Sequence, residues 1–470
     1  MKPAELADFE TQARKLRYRA LGVACRDLNI RSLLLAHHLD DLAESMLRNV
    51  MYLGSQPTTW NLRAMEPRGV NIPECWGIHG VHQSGAYHHD PSSSSKVGNG
   101  LLLDTDSHCH IGFEEGGVKV YRPLLLFTKA RIQATCKEHG LEWVEDETNH
   151  DVTRTMRNAI RSLLKAQRLP RALSTERLIE LNRETRKKIA TLERCGAQLF
   201  QRADILVFDV RSGALVIRLP RLHLRCDHDN LGPMAFLRCI FEMVTPNERI
   251  LTPSMDTALH YMFDQRINND SSSDEPKVPV VEFCQGGVHV ERKEMPAQSH
   301  PDATVPPELD PDYVWILTRE AFRRSKHPKP ICILATDTSI LALSDSGSTT
   351  QGCKWSPWQL WDGRFWIRVS NNTGQNLEVR AFQEQDKSRL RETLHKARFK
   401  LLLRALAVAA PGNVRWTLPV IAVASEAGKV LAFPTLGNVT DGLTEGLDWE
   451  VRFKKVDFGG KELEEGRIAR

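Results

Sequence analysis

Apolar positions recur at three- and four-residue steps from Phe9 to Ala24 (Phe9, Ala13, Leu16, Ala20, Val23, Ala24), which predicts a helix with Glu10, Arg14 and Arg17 on a neighbouring polar face. A run of strand length follows, Leu33-Leu34-Leu35-Ala36, and a second helix starts near Asp40. On that helix Leu39, Leu42, Met46, Val50 and Leu53 form an apolar stripe, and Asp41, Glu44, Ser45 and Arg48 cover the opposite side. A strand entering a helix in this way is the grammar of a parallel α/β sheet. Further on, the pattern predicts a helix over Lys129 to His139 and an extended piece over Leu141 to Val144. Beyond Ala203 it changes to short alternating strands, Asp204 to Val210 and Ala214 to Leu219. A helix near Met234 to Met243, β-like pieces over Val278 to Val290, and a β-rich remainder with one helix over Arg389 to Ala409 complete the reading.

These shifts divide the chain into residues 1–165 with an α/β pattern, a basic helical connector over 166–200, an α+β unit over 201–293, a linker over 294–311 and a β-rich unit over 312–470. Within the first unit, residues 66–117 lack any sustained period, carry Ser92-Ser93-Ser94-Ser95, and read as a long loop insertion. No fixed-period repeat is present.

Composition adds bounds to this picture. The 470 residues are 41% hydrophobic and 26% charged, the values of a globular chain and not of a disordered or collagenous one. No stretch approaches the roughly 20 apolar residues that a membrane helix needs. The net charge of +4 conceals a concentration: from Arg154 to Lys188 there are eleven basic and three acidic residues, a local charge of +8. Such a segment suits a polyanion. The ten cysteines form no C-x-x-C pair, which removes zinc ribbons, thioredoxin motifs and a dense disulfide framework. The first ten residues have neither the apolar core of a signal peptide nor the acid-poor arginine pattern of a transit peptide.

The sharpest chemistry lies in Ala36-His37-His38-Leu39-Asp40-Asp41-Leu42-Ala43-Glu44-Ser45, at a strand end where open α/β sheets bind ligands. With the apolar stripe turned to a core, Asp41 and Glu44 are expected to face a ligand. In the alternative, Asp40 caps its own helix and Asp41 and Glu44 complement the dipole. No H-E-x-x-H spacing supports a metal site, and the His and Cys residues of the insertion (Cys75, His79, His82, His88, His89, His108, Cys109, His110) are too irregular to suggest one. Arg157 and Arg161 share a helix side, and with Arg122 they suit phosphate contact through paired guanidinium donors. Gly459-Gly460-Lys461 lacks the flanking residues of a Walker loop.

Taken in order, Glu10-x-x-Ala13-Arg14-x-x-Arg17-Tyr18, the Ala36–Glu44 block, Arg122-Pro123-Leu124-Leu125, Trp143-x-x-Asp146-x-x-Asn149 and Arg157-Asn158-x-x-Arg161 resemble the tRNA(Ile)-lysidine synthetases of the PP-loop ATP pyrophosphatase superfamily. Trp361-Asp362-Gly363-Arg364-Phe365 is similar to a further block of that family. The resemblance implies a partial PP-loop, adenine nucleotide alpha hydrolase-like domain followed by accessory α+β and β-rich domains. It implies adenylation of a wobble cytidine by ATP, with Mg2+, and displacement of AMP by free lysine on a CAU-anticodon tRNA. On it, His37, His38 and Asp41 are the catalytic candidates, Asp41 and Glu44 the lysine-binding pair, and Arg122, Arg157 and Arg161 the contacts to tRNA or phosphate. The chain has Leu42 and Ser45 where the family usually has Gln and Thr.

The family's Ser-Gly-Gly-x-Asp-Ser loop, whose amides hold the ATP phosphates, does not occur in this sequence. Two expectations follow: a truncated gene model, or a tRNA-binding homologue without catalysis. The family's role in eukaryotes suggests a mitochondrial, soluble protein. No membrane partner is expected.

Overall fold

The computed structural model describes residues 9–28, 30, 32–51, 65, 70–71, 112–113, 118–145, 151, 156–222, 231–247, 250, 252–263, 281–294, 309, 313–323, 327–335, 355–424, 429–437, 446–453, 456–457 and 467–469. The N-terminal part runs through α1 (Phe9–Asp27), β1 (Ser32–Leu34), α2 (Leu39–Met51), β2 (Val70–Asn71), β3 (Gly112–Phe113), β4 (Lys119–Tyr121), α3 (Lys129–Glu138) and α4 (Met156–Lys165). Next come α5 (Thr175–Arg202), β5 (Asp204–Asp209), β6 (Ala214–Arg218), α6 (Leu231–Val244), α7 (Asp256–Phe263), β7 (Glu282–Gln285), β8 (Val288–Glu294) and β9 (Tyr313–Arg319). The remainder comprises β10 (Ile331–Ile333), β11 (Gln359–Trp361), β12 (Phe365–Asn371), β13 (Leu377–Ala381), α8 (Glu384–Thr393), α9 (Lys396–Ala409), β14 (Pro419–Val423), β15 (Val430–Ala432), β16 (Leu447–Phe453), β17 (Val456–Asp457) and β18 (Arg467–Ala469).

The predicted α/β grammar is present: β1 pairs in parallel with β4, Leu33 opposite Val120, and α2 follows β1 directly. β2 adds an antiparallel third strand on β4. Two pieces of the expected insertion are therefore strands, since Val70–Asn71 belongs to this sheet and β3 pairs with β17. Most of residues 66–117 lie outside the described residues, as do the segment 268–276 and most of the segment 294–307.

α1 forms as expected but turns a different face inward. Leu16 is 69% exposed, whereas Tyr18 and Cys25 are buried against Val118 and Val120. Three of the six positions in the predicted stripe are alanines, whose burial removes little apolar area from water. Tyr18 offers more, and it carries the guanidinium groups of Arg14 and Arg17 over its ring at 5.2 and 5.7 Å.

Leu141 to Val144 joins no strand, and Val144 is 96% exposed. The single helix expected over 389–409 is two helices: Leu394 takes an extended conformation after α8, and the His395 side chain accepts the Ala397 N–H to start α9. A capping side chain two residues beyond a helix end restarts the hydrogen-bond ladder and breaks the axis.

α5 links the two halves. Ser174 caps it by accepting the Arg177 N–H, and its 28 residues span about 42 Å. Its first half packs Leu178 into a cluster with Leu42, Met46, Leu47, Leu125 and Ile160. Its second half meets α6 so closely that a Cβ on Gly196 would sit 2.9 Å from both the Ala235 Cβ and the Phe236 backbone nitrogen.

The C-terminal half corrects the expected division. A six-stranded sheet runs β18-β5-β6-β9-β8-β7. In it β9 lies between β6 and β8, pairing with both. The segment 294–311 thus joins neighbouring strands of one sheet instead of separating two units. One continuous apolar cluster extends from Leu199 through Phe236, Phe241 and Leu317 to Trp361, Phe365 and Phe453, across the expected boundary. Strand partners distant in sequence leave no mark on local periodicity, which is why the pattern misplaces the boundary.

Candidate functional site

The site is built where β1 ends and α2 begins. The Leu35 N–H donates to the Tyr121 carbonyl and the Leu39 N–H to the Phe127 carbonyl, so the strand end and the following turn are held against the segment after β4. The His38 backbone N–H donates to Asp41 Oδ2 at 3.0 Å, and the Asp41 N–H donates to His38 Nδ1 at 3.4 Å. These reciprocal bonds close the first turn of α2 in the manner of a capping box. Asp40 does not cap its own helix. Its Oδ2 accepts the Lys129 N–H at 2.7 Å and so serves the start of α3.

One turn along α2, Asp41 and Glu44 meet two arginines one turn apart on α4. Arg157 donates through Nη2 to Asp41 Oδ1 at 2.6 Å and through Nε to Glu44 Oε2 at 2.9 Å. Arg161 donates to both oxygens of Glu44, from Nε to Oε1 at 2.6 Å and from Nη2 to Oε2 at 3.1 Å. The carboxylate side chains are 10% and 3% exposed, and those of Arg157 and Arg161 37% and 22%. Asn158, buried between the two arginines in sequence, donates to the Asp151 carbonyl at 2.8 Å and fixes the approach to α4.

This arrangement corrects the expectation of an acidic face open to a ligand. Both sides of α2 are covered, the apolar stripe by Leu125, Ile160 and Leu178 and the acidic side by α4. Arg157 and Arg161, expected as phosphate contacts, are committed to carboxylates. Opposite charges at matching one-turn spacing neutralise each other once two helices pack. The sequence displays each row; the helix crossing that joins them is tertiary.

Arg122 and His37 lie beside this cluster. Arg122 is 6% exposed and donates from Nε to His37 Nδ1 at 3.3 Å. An imidazole that accepts from a guanidinium is neutral, with its proton on Nε2. Burial first, and then the charge of Arg122, push the His37 pKa down to about 4. Asp41 and Glu44 are balanced by Arg157 and Arg161, and Arg122 stands beside them against His37.

Of the residues singled out from sequence, His37, His38, Asp41, Glu44, Arg122, Arg157 and Arg161 all converge here. Asp146 and Asn149 lie outside the described residues, as does the Glu10 side chain. Trp143 is 41% exposed. Sequence reasoning missed the link from Asp40 to α3 and the donation of Arg122 to His37, neither of which leaves a spacing signal. Among the described residues no group of three or more His, Cys, Asp or Glu side chains is placed to hold a metal ion, and the acidic pair is taken up by arginines. These residues therefore do not fit a Mg2+ site. No helix among the described residues is long and apolar enough to cross a membrane.

Comparison with known proteins gives this geometry a context. Residues 2–74 and 110–167, which include every residue of the cluster, match the PP-loop domain family, an ATP-utilising domain. A fission yeast protein (Schizosaccharomyces pombe), named a probable tRNA(Ile)-lysidine synthase, is 24% identical over 448 residues, 92% of this chain and 74% of that protein. The tRNA(Ile)-lysidine synthase of Wolbachia pipientis wMel is 32% identical over 159 residues, 34% of this chain and 26% of that protein. That of Burkholderia mallei is 30% identical over 153 residues, 33% of this chain and 22% of that protein. The chain contains a PP-loop domain and is related to the tRNA(Ile)-lysidine synthases, through that domain in the bacterial proteins and across most of its length in the fission yeast one.

Proposed function

We propose that this chain acts as a tRNA(Ile)-lysidine synthase. ATP adenylates the C2 oxygen of the wobble cytidine in a CAU anticodon, releasing pyrophosphate, and an amine of free lysine then displaces AMP. The observation that supports this reading most is the similarity to the fission yeast protein, which continues for hundreds of residues beyond the PP-loop domain.

In this reading Asp41 and Glu44 receive the lysine ammonium. Because both carboxylates already hold guanidinium groups, binding requires Arg157 or Arg161 to yield a position, and the released arginine can then turn toward phosphate. Arg122, with His37 neutral beside it, offers positive charge for an anionic group at the strand end. His38 orders the turn that presents Asp41. The basic segment from Arg154 to Lys188 contacts the tRNA backbone. The protein works in the mitochondrion.

Since the sequence contains no Ser-Gly-Gly-x-Asp-Ser run, a second reading keeps tRNA binding without chemistry. One experiment separates them. The chain is incubated with CAU-anticodon tRNA, ATP and labelled lysine, alone and joined to an upstream segment bearing that loop. Label enters tRNA, with the chain alone or in the joined form, if the first reading holds. Binding without incorporation in either form selects the second.

A further inference from the structure

We propose that an open cleft of about 510 Å³ in the C-terminal half, outside the Asp41 cluster, is a binding site for the phosphate of a nucleotide. Its wall is formed by Pro246 and Asn247 after α6, Arg319 at the end of β9, His327 and Lys329 before β10, and Asp362 in the turn between β11 and β12.

The charge of this wall is unbalanced. Asp362 accepts from two guanidinium groups, Arg319 at 3.1 and 3.2 Å and Arg364 at 2.8 Å. Arg364 is fully buried, donates also to the Ser212 and Thr417 carbonyls, and has its pKa lowered to about 10 by burial. Among the lining residues Arg319 and Lys329 outnumber Asp362 and leave a surplus positive charge, while the buried Arg364 holds Asp362 without lining the cleft. Lys329 and His327 add donors at exposed positions, and among the described residues neither pairs with a carboxylate. A donor-rich concavity with surplus charge takes an anion, and its volume is that of a nucleotide-sized ligand. The His327 ring packs against Phe322 at 5.6 Å, giving the rim a flat surface beside the charges.

The turn that carries Asp362 is tightly packed against Pro246. Gly363 sits at φ 63°, and a Cβ there would collide with the Pro246 carbonyl oxygen; a Cβ on Gly287 would lie 2.9 Å from Cδ of the same proline. Asp362 itself holds φ 48°, in the left-handed region that a non-glycine residue seldom enters. A turn held in this way fixes the arginine pair without reorganisation.

The phosphate chemistry stands on these residues alone; a tRNA source for it rests on the function proposed above. The test titrates the full chain, and its Lys329→Glu and Lys329→Ala variants, with inorganic phosphate, AMP and CAU-anticodon tRNA, using Lys396→Glu on exposed α9 as a control. A tenfold or greater loss of AMP or phosphate affinity in Lys329→Glu, absent in the control, supports a free-nucleotide site. A loss confined to tRNA, with a smaller dependence on salt, supports an RNA phosphate. Wild-type affinity for all three probes in both Lys329 variants overturns the proposal, and leaves the function intact if lysine incorporation persists.

Discussion

At His37 two forces act in one direction. Burial disfavours the imidazolium, and the Arg122 guanidinium beside it disfavours it further, so the pKa falls to about 4 from an ordinary value of 6.5. The folded protein then refuses a proton that the unfolded chain accepts between those values, and stability is lost as pH falls from 6.5 toward 4. Replacing His37 with Gln, which keeps a side-chain acceptor for Arg122, is expected to flatten that part of the stability profile. Urea unfolding of both proteins at pH 7.0 and 5.0 measures it: the difference between the two pH values shrinks in the variant. This residue was legible in the sequence as one of two adjacent histidines at a strand end. Its neutrality was not, because the cause is Arg122, distant in sequence and brought near by the pairing of β1 with β4.

Among elements, α2 and α4 show how far local pattern reaches. The amphipathic character of each helix is written in its own residues, and both form where expected. The pattern of α2 nevertheless suggests one buried and one open side, whereas Asp41 and Glu44 are buried along with Leu42 and Met46. Removing one carboxylate tests what the pairing contributes. Glu44→Gln leaves Arg157 and Arg161 to share Asp41, and a loss of about 1–3 kcal/mol is expected, less than for a fully buried pair because the arginines reach solvent. Adding Arg161→Gln should recover part of it, since the two residues interact directly. Denaturant midpoints for the single and double variants give the coupling. Additive losses contradict a direct pair.

For the whole molecule, the decisive feature is the sheet that places β9 between β6 and β8. A fragment of residues 201–311 contains β5 to β8 but lacks the strand that separates β6 from β8, and loses Trp315 and Leu317 from the core. Such a fragment is expected to remain unfolded or molten. Amide NMR dispersion or near-ultraviolet circular dichroism checks this, and a cooperatively folded fragment contradicts it. By contrast α5, with Leu178 in the N-terminal cluster and Leu199 in the C-terminal core, carries packing between the halves along its length.

The sequence by itself determined what depends on near neighbours: the helices α1, α2, α3 and α4, the strand entering α2, the strands β5 and β6, and the order of motif blocks that resembles the lysidine synthetases. Each is set by periodicity, capping or spacing within one or two turns. Only the tertiary structure decided which face of α1 is buried, that the acidic row of α2 is neutralised by the basic row of α4, and that residues on both sides of 294–311 share one sheet. Charge pairing and strand pairing join groups tens to hundreds of residues apart. No local pattern encodes such partners, because either row of charges, and either strand, is equally compatible with solvent until the chain brings its counterpart within reach.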